Sequence, residues 1–196
     1  KHAYKIPGAG YHIAVMDFGV KKNILVSLQH RNCHITVFPA RAGAEEILGC
    51  EPDAIVLTNG PGDPKDNMEA VETIKKLIDC KPIFGICLGH QLLALASGAD
   101  TEKLKYGHRG CNHPVKDLTS GRTYITSQNH GYTVKDGSVD TKKIEITHRN
   151  LNDGTIEGMK YKSRPVFSVQ FHPEACPGPN DTNFLFDEFL KLAECR

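Results

Sequence analysis

Between Pro82 and Gln91 the chain reads Pro-Ile-Phe-Gly-Ile-Cys-Leu-Gly-His-Gln, and no other stretch constrains the fold as tightly. Ile83, Phe84 and Ile86 form the short apolar run that a buried parallel strand needs, and the run stops at Cys87. Gln91-Leu92-Leu93-Ala94-Leu95-Ala96 has the propensity of a helix packed on one side. The chain therefore passes from strand to helix in a turn centred on Cys87, with Gly85 and Gly89 flanking it. Gly-x-Cys-x-Gly is the thiol form of a nucleophile elbow, in which glycines permit close backbone approach and a reactive atom is held out on a sharp turn. A helix N-terminus at that point supplies N–H groups and partial positive charge that favour a thiolate. The plainer alternative is a buried, inert cysteine beside a glycine-rich turn.

Around this elbow, apolar runs and amphipathic stretches alternate. Residues 12–17 read as a strand ending in a glycine turn, 22–31 as a helix, 34–38 as a strand and 42–48 as a short helix. Residues 53–57 read as a third strand running into Asn59-Gly60-Pro61-Gly62-Asp63-Pro64, and 68–79 as a helix. This alternation predicts an α/β fold: a mostly parallel central sheet with helices on both faces. From about residue 101 to 170 the texture changes to short segments (123–126, 132–134, 144–147, 158–161) parted by turn residues. They read as an antiparallel region appended to that sheet. Residues 182–193 read as a closing helix. The polar, glycine-bearing residues 1–11 read as a linker, the remnant of a missing N-terminal domain, with one domain over 12–196.

Composition narrows the function classes. Net charge is +1 with acids and bases interspersed, which argues against a nucleic-acid or anionic-membrane face. No apolar run approaches the ~18 residues of a membrane span, and no signal peptide is visible. Seven cysteines without regular spacing fit a reducing, cytoplasmic setting rather than a disulfide framework. His108, Cys111 and His113 lack a fourth partner and match no usual zinc spacing, so no metal site is expected. Cys33, Cys50, Cys80 and Cys195 read as structural or surface thiols, and Cys176 flanks the site in sequence without an evident role.

Two further constellations carry chemistry. The Asn59–Pro64 loop lies at the carboxyl end of a predicted core strand, where open α/β sheets bind ligands, and its backbone N–H groups suit an oxyanion hole or a carboxylate seat. His172-Pro173-Glu174 follows an apolar strand, and the proline stiffens the link so that Glu174 folds back on the imidazole. With Cys87 this completes a Cys-His-Glu set in the roles of nucleophile, base and orienter. Ser127–Tyr132 reads as a polar loop between short strands, able to hydrogen-bond a small polar substrate.

Together these segments resemble the class I (triad) glutamine amidotransferases, and most nearly the amidotransferase domain of carbamoyl-phosphate synthetase small chains. The resemblance runs from about His12 to the last helix. It rests on residues 17–24, 59–64, 85–91, 107–115, 128–132 and 170–179 in combination. It implies a flavodoxin-like amidotransferase fold with Cys87 as nucleophile, His172 as base and acid, and Glu174 as its orienter. It also implies Gly60, Gly62, Leu88, Gln91, Asn129, Gly131 and Tyr132 as glutamine-binding positions, with Tyr132 standing where relatives commonly carry Phe. L-glutamine would be the substrate and a synthetase large chain the partner, in a heterodimer or higher oligomer. No cofactor is implied in this chain, ATP and Mg being expected on the large chain, because no Gly-x4-Gly-Lys phosphate loop is present. Such small chains also carry an N-terminal domain to which nothing here corresponds, so the chain is expected to be an excised domain with poor turnover of its own. A catalytically silent module on the same fold, an amidotransferase serving another synthetase, and a stand-alone cysteine hydrolase are the rival readings.

Overall fold

A computed structural model describes residues 2–175 and 178–194. Its strands are β1 (Tyr4–Ile6), β2 (His12–Asp17), β3 (His34–Pro39), β4 (Ala54–Leu57), β5 (Ile83–Ile86), β6 (Thr101–Asp117), β7 (Thr123–Val134), β8 (Ile144–Asn150), β9 (Ile156–Tyr161) and β10 (Val166–Val169). The helices are α1 (Lys22–Gln29), α2 (Ala44–Leu48), α3 (Met68–Leu77), α4 (Leu88–Ala96) and α5 (Leu185–Glu194). All ten strands form one sheet in the order β1-β3-β2-β4-β5-β10-β9-β7-β6-β8.

The sheet is mixed. β2 pairs parallel with β3 and β4, and β5 pairs parallel with β4 and β10. Every other pairing is antiparallel, including β1 on β3 and the whole outer set β9, β7, β6 and β8. The expected appended region is thus continuous with the rest, and "mostly parallel" does not describe the sheet as a whole. Tyr4–Ile6, within the stretch read as a linker, is a largely exposed edge strand with no hydrophobic period to betray it.

Alternation along β2 shows why helices are needed on both faces. Ile13 and Val15 point into a core shared with Ile24 and Leu28 of α1 and Phe186 and Phe189 of α5. Ala14 and Met16 point the other way, against Ile47 of α2, Val71 and Ile74 of α3, and Leu92 of α4. At the centre, fully buried Phe84 stacks on Phe167 at 4.5 Å and meets Phe186 edge-on at 5.7 Å. Burying one such ring contributes about 2–3 kcal/mol. These contacts hold α5 to the strand that leads into Cys87.

The largest departure from expectation lies in residues 101–134, where β6 and β7 are long, continuous partners. Ser127–Tyr132 belongs to β7 and is not a loop. Register shifts between Lys103 and His108 and between Gly110 and His113 bend the pair, and Gly107 (φ +70) and Gly110 (φ +138) take the conformations that such irregularities demand.

Candidate active site

The elbow forms as the residues require. β5 ends at Ile86, Cys87 takes φ 55 and ψ −103, and α4 begins at Leu88, a turn earlier than helix propensity alone suggested. A positive φ on a residue with a Cβ is costly and persists only where the surroundings over-determine it. Here Cys87 N–H is held by the Val169 carbonyl at 2.9 Å, and Gly89 N–H by the Thr58 carbonyl at 3.1 Å. Gly89 packs so closely on β4 that an added Cβ would run into the Leu57 carbonyl and stand 2.7 Å from Leu57 Cβ. Gly89→Ala is therefore expected to destabilise the fold by about 1–3 kcal/mol or more through overpacking against backbone. Urea denaturation measures this, and an unchanged midpoint would contradict the packing.

His172 and Glu174 follow β10, the parallel neighbour of β5. His172 N–H is fixed by the Ser127 carbonyl at 2.9 Å, and Ala175 N–H closes on the His172 carbonyl at 3.3 Å, folding Glu174 back. Glu174 Oε1 then meets His172 Nδ1 at 2.7 Å, both side chains being almost wholly buried. This orients the ring and leaves Nε2 buried without a hydrogen bond. Burial lowers the proton affinity of His172, but the Cys87 sulfur and the Glu174 carboxylate outweigh it and push the pKa up to about 9. The sulfur thus raises the proton affinity of a ring whose Nε2 makes no hydrogen bond.

In front of the sulfur lies a pocket of about 190 Å³ lined by Gly60, Pro61, Gly62, Cys87, Gln91, Arg109, Asn129, His130, Gly131 and Tyr132. Of the residues singled out from sequence, Cys87, Gly60, Gly62, Gln91, Asn129, Gly131 and Tyr132 line it, while Leu88, His172 and Glu174 are buried. A wider hollow of about 690 Å³ adjoins residues 78–82, which precede β5 and so lie away from the elbow, and it brings together no such reactive set.

The glycine loop approaches Leu88 so tightly that a Cβ on Gly60 would stand 2.7 Å from Leu88 Cδ2. Among the described residues, the N–H groups of Gly60 and Gly62 are not spent on hydrogen bonds, and Leu88 N–H opens a helix and has no intrahelical partner. Gln91 gives Nε2 to the Tyr132 carbonyl at 2.8 Å and to Gln170 Oε1 at 2.9 Å, so its own Oε1 is what it offers a ligand.

Lys21 was not singled out from sequence. Lys21 Nζ lies 3.7 Å from Glu174 Oε1 and is delivered there by a turn stapled to the glycine loop. Asn59 makes the staple, donating to the Gly19 carbonyl at 2.9 Å and accepting from Lys21 N–H at 3.0 Å. Behind the pocket, neutral His130 contacts the Tyr132 carbonyl through Nδ1 at 2.7 Å, and burial holds its pKa down to about 3. His108 sits between Glu157 and Asp153, and Glu157 is the chief cause of its rise to about 9, against desolvation. His108, His130 and Glu157 bring ligand atoms within 4.8 Å of one another. The set is tied into its surroundings by hydrogen bonds, His108 meeting Gln128 Oε1 at 2.9 Å and Asp153 Oδ2 at 2.7 Å, and His130 meeting the same Gln128 oxygen at 2.9 Å. The His113 ring lies tilted against His108, with centroids 5.1 Å apart, whereas Cys111 neighbours Ser127 at 3.7 Å. Cys33 is buried, Cys80 exposed, and Cys176 and Cys195 lie outside the described residues.

Comparison with known proteins bears on this site. The sequence profile of the glutamine amidotransferase class-I family matches residues 14–192. The chain belongs to that family. Among its relatives, this amidotransferase is 61% identical over 189 residues to a carbamoyl phosphate synthase small chain of Oceanobacillus iheyensis, covering 96% of this chain and 52% of the relative. It is 59% identical over 190 residues to the small chain of Clostridium perfringens, covering 97% and 54%. The chain thus spans about half the length of the curated relatives it matches. In fold, the amidotransferase superposes on a crystal structure from Thermoplasma acidophilum that is assigned to a GMP synthase. The TM-score is 0.82 at 23% identity, with 95% of each chain covered. Among the described residues, no helix is long and apolar enough to cross a membrane.

Proposed function

We propose that this amidotransferase is the glutaminase component of a carbamoyl-phosphate synthetase, with Cys87 as nucleophile, His172 as base and acid, and Glu174 as orienter. The observation that carries the reading is the convergence of sulfur, imidazole and carboxylate beside one small pocket lined by glycine backbone. Its likeness to small chains at up to 61% identity supports the choice of synthetase.

In this mechanism the Cys87 thiolate attacks the side-chain carboxamide carbon of glutamine. Leu88 N–H and an N–H of the Gly60–Gly62 loop hold the oxygen that becomes negative. His172, protonated at neutral pH, gives its proton to the departing ammonia, leaving a glutamyl thioester. Neutral His172 then takes a proton from water, which attacks the thioester and releases glutamate and the sulfur. The ammonia passes to a large partner chain that makes carbamoyl phosphate from bicarbonate and ATP, for pyrimidine and arginine biosynthesis in the cytoplasm. ATP and Mg belong to that partner. Gln91, Asn129, Gly131 and Tyr132 grip the substrate's amino-acid end.

An electrophilic glutamine analogue is expected to label Cys87 alone among the seven cysteines, with glutamine protecting it. Peptide mapping by mass spectrometry on the full-length protein with its partner reads the site. Labelling spread over other cysteines, or unaffected by glutamine, would overturn the assignment.

A further inference from the structure

We propose that Arg109 selects for an amino-acid substrate by receiving its α-carboxylate at the mouth of the Cys87 pocket. The inference deepens the glutaminase reading and rests on it. Arg109 is the charged side chain in the pocket lining, the rest being glycine, proline, cysteine, amide and aromatic groups, with His130 held neutral. Its position is set by the register of the long hairpin, which places it opposite Asn129. Nη1 donates to the Tyr106 carbonyl at 2.6 Å. Nη2 reaches toward Gly131, standing 3.9 Å from where a Cβ there would be.

Two facts make this guanidinium available to a ligand. Arg31, Arg149 and Arg164 each hold a carboxylate, whereas among the described residues Arg109 has none. The other polar groups are also already divided in kind. Gln91 offers only an oxygen, which suits an ammonium, so the donors left for an α-carboxylate are loop N–H groups, the Asn129 amide and Arg109, of which Arg109 alone brings a positive charge. A planar fork with a free edge matches a carboxylate in shape and charge.

The test compares glutamine with γ-aminobutyramide, which keeps the ammonium and carboxamide but lacks the carboxylate. Both are assayed for ammonia release by the full-length protein with its synthetase partner. Arg109→Met, which keeps length and loses charge, is expected to raise KM for glutamine about tenfold, the lower worth of a charge-assisted hydrogen bond at an exposed edge. Its kcat should be little changed, kcat/KM for γ-aminobutyramide should not move, and Arg109→Lys should recover part of the loss. Equal losses on both amides would mean that Arg109 only braces the hairpin through Tyr106, and an unchanged KM would remove it from recognition; either result overturns the proposal. If the unsubstituted protein releases no ammonia from glutamine, the glutaminase reading fails first and takes this inference with it.

Discussion

Cys87→Ala is expected to lower glutamine hydrolysis by about four to six orders of magnitude, the range found when a nucleophile is removed from a hydrolytic triad. His172→Asn should fall nearly as far, because in the proposed mechanism the imidazole supplies both the proton that ammonia takes and the base that activates water. The double variant should be no worse than either single one. Groups that act as one unit are grossly non-additive, and Nδ1 of this imidazole is already committed to Glu174 at 2.7 Å. Rapid-quench measurement of the acyl-enzyme is the second check, since neither variant should accumulate it. Additive losses in the double variant would mean that sulfur and imidazole act independently, and the shared mechanism would have to be abandoned.

The second large effect is on stability in acid. His90 is fully buried, contacts Ser168 Oγ at 2.9 Å, and is held to a pKa of about 3 chiefly by desolvation. His130 is held near 3 for the same leading reason. In the unfolded chain both accept a proton near pH 6.5, while in the folded protein they refuse it. They therefore cost nothing above pH 6.5, and stability is lost as the pH falls toward 3, by up to roughly 5 kcal/mol for each. His108 and His172 run the opposite way. Raised to about 9, they contribute fully below pH 6.5 and lose that share as the pH climbs through 9. Stability should thus peak near neutrality, as urea midpoints across pH will report. His90→Asn should flatten the acid slope between pH 6.5 and 5, where carboxylates are not yet titrating. A slope identical to that of the parent would show that His90 is not the group refusing the proton.

What was legible in the sequence follows a physical divide. The elbow could be read because strand, glycine pair and helix are adjacent in the chain and each uses a local rule, a short apolar run or a missing Cβ. The His172–Glu174 contact was legible for the same reason, as a two-residue hop stiffened by Pro173. The region from Thr101 to Val134 was not. In β6 and β7 the polar residues His108, Gln128 and His130 are buried by satisfying one another, so a strand that is polar in sequence looks like a loop. Lys21 and Arg109 were within reach as parts of recognisable segments, yet nothing local shows that one meets Glu174 and the other rims the pocket. Those are pairings between distant residues, and only the order of strands in the sheet determines them.

The parallel pairing of β5 with β10 has a mechanical consequence. Val169 lies opposite Ile86, so Cys87 and His172 follow the ends of two neighbouring strands, and the Cys87 N–H closes their ladder on the Val169 carbonyl. Fraying at either outer rim leaves their separation untouched, as warping the rim of a drum leaves its centre taut. The two side chains come apart only when the middle of the sheet opens.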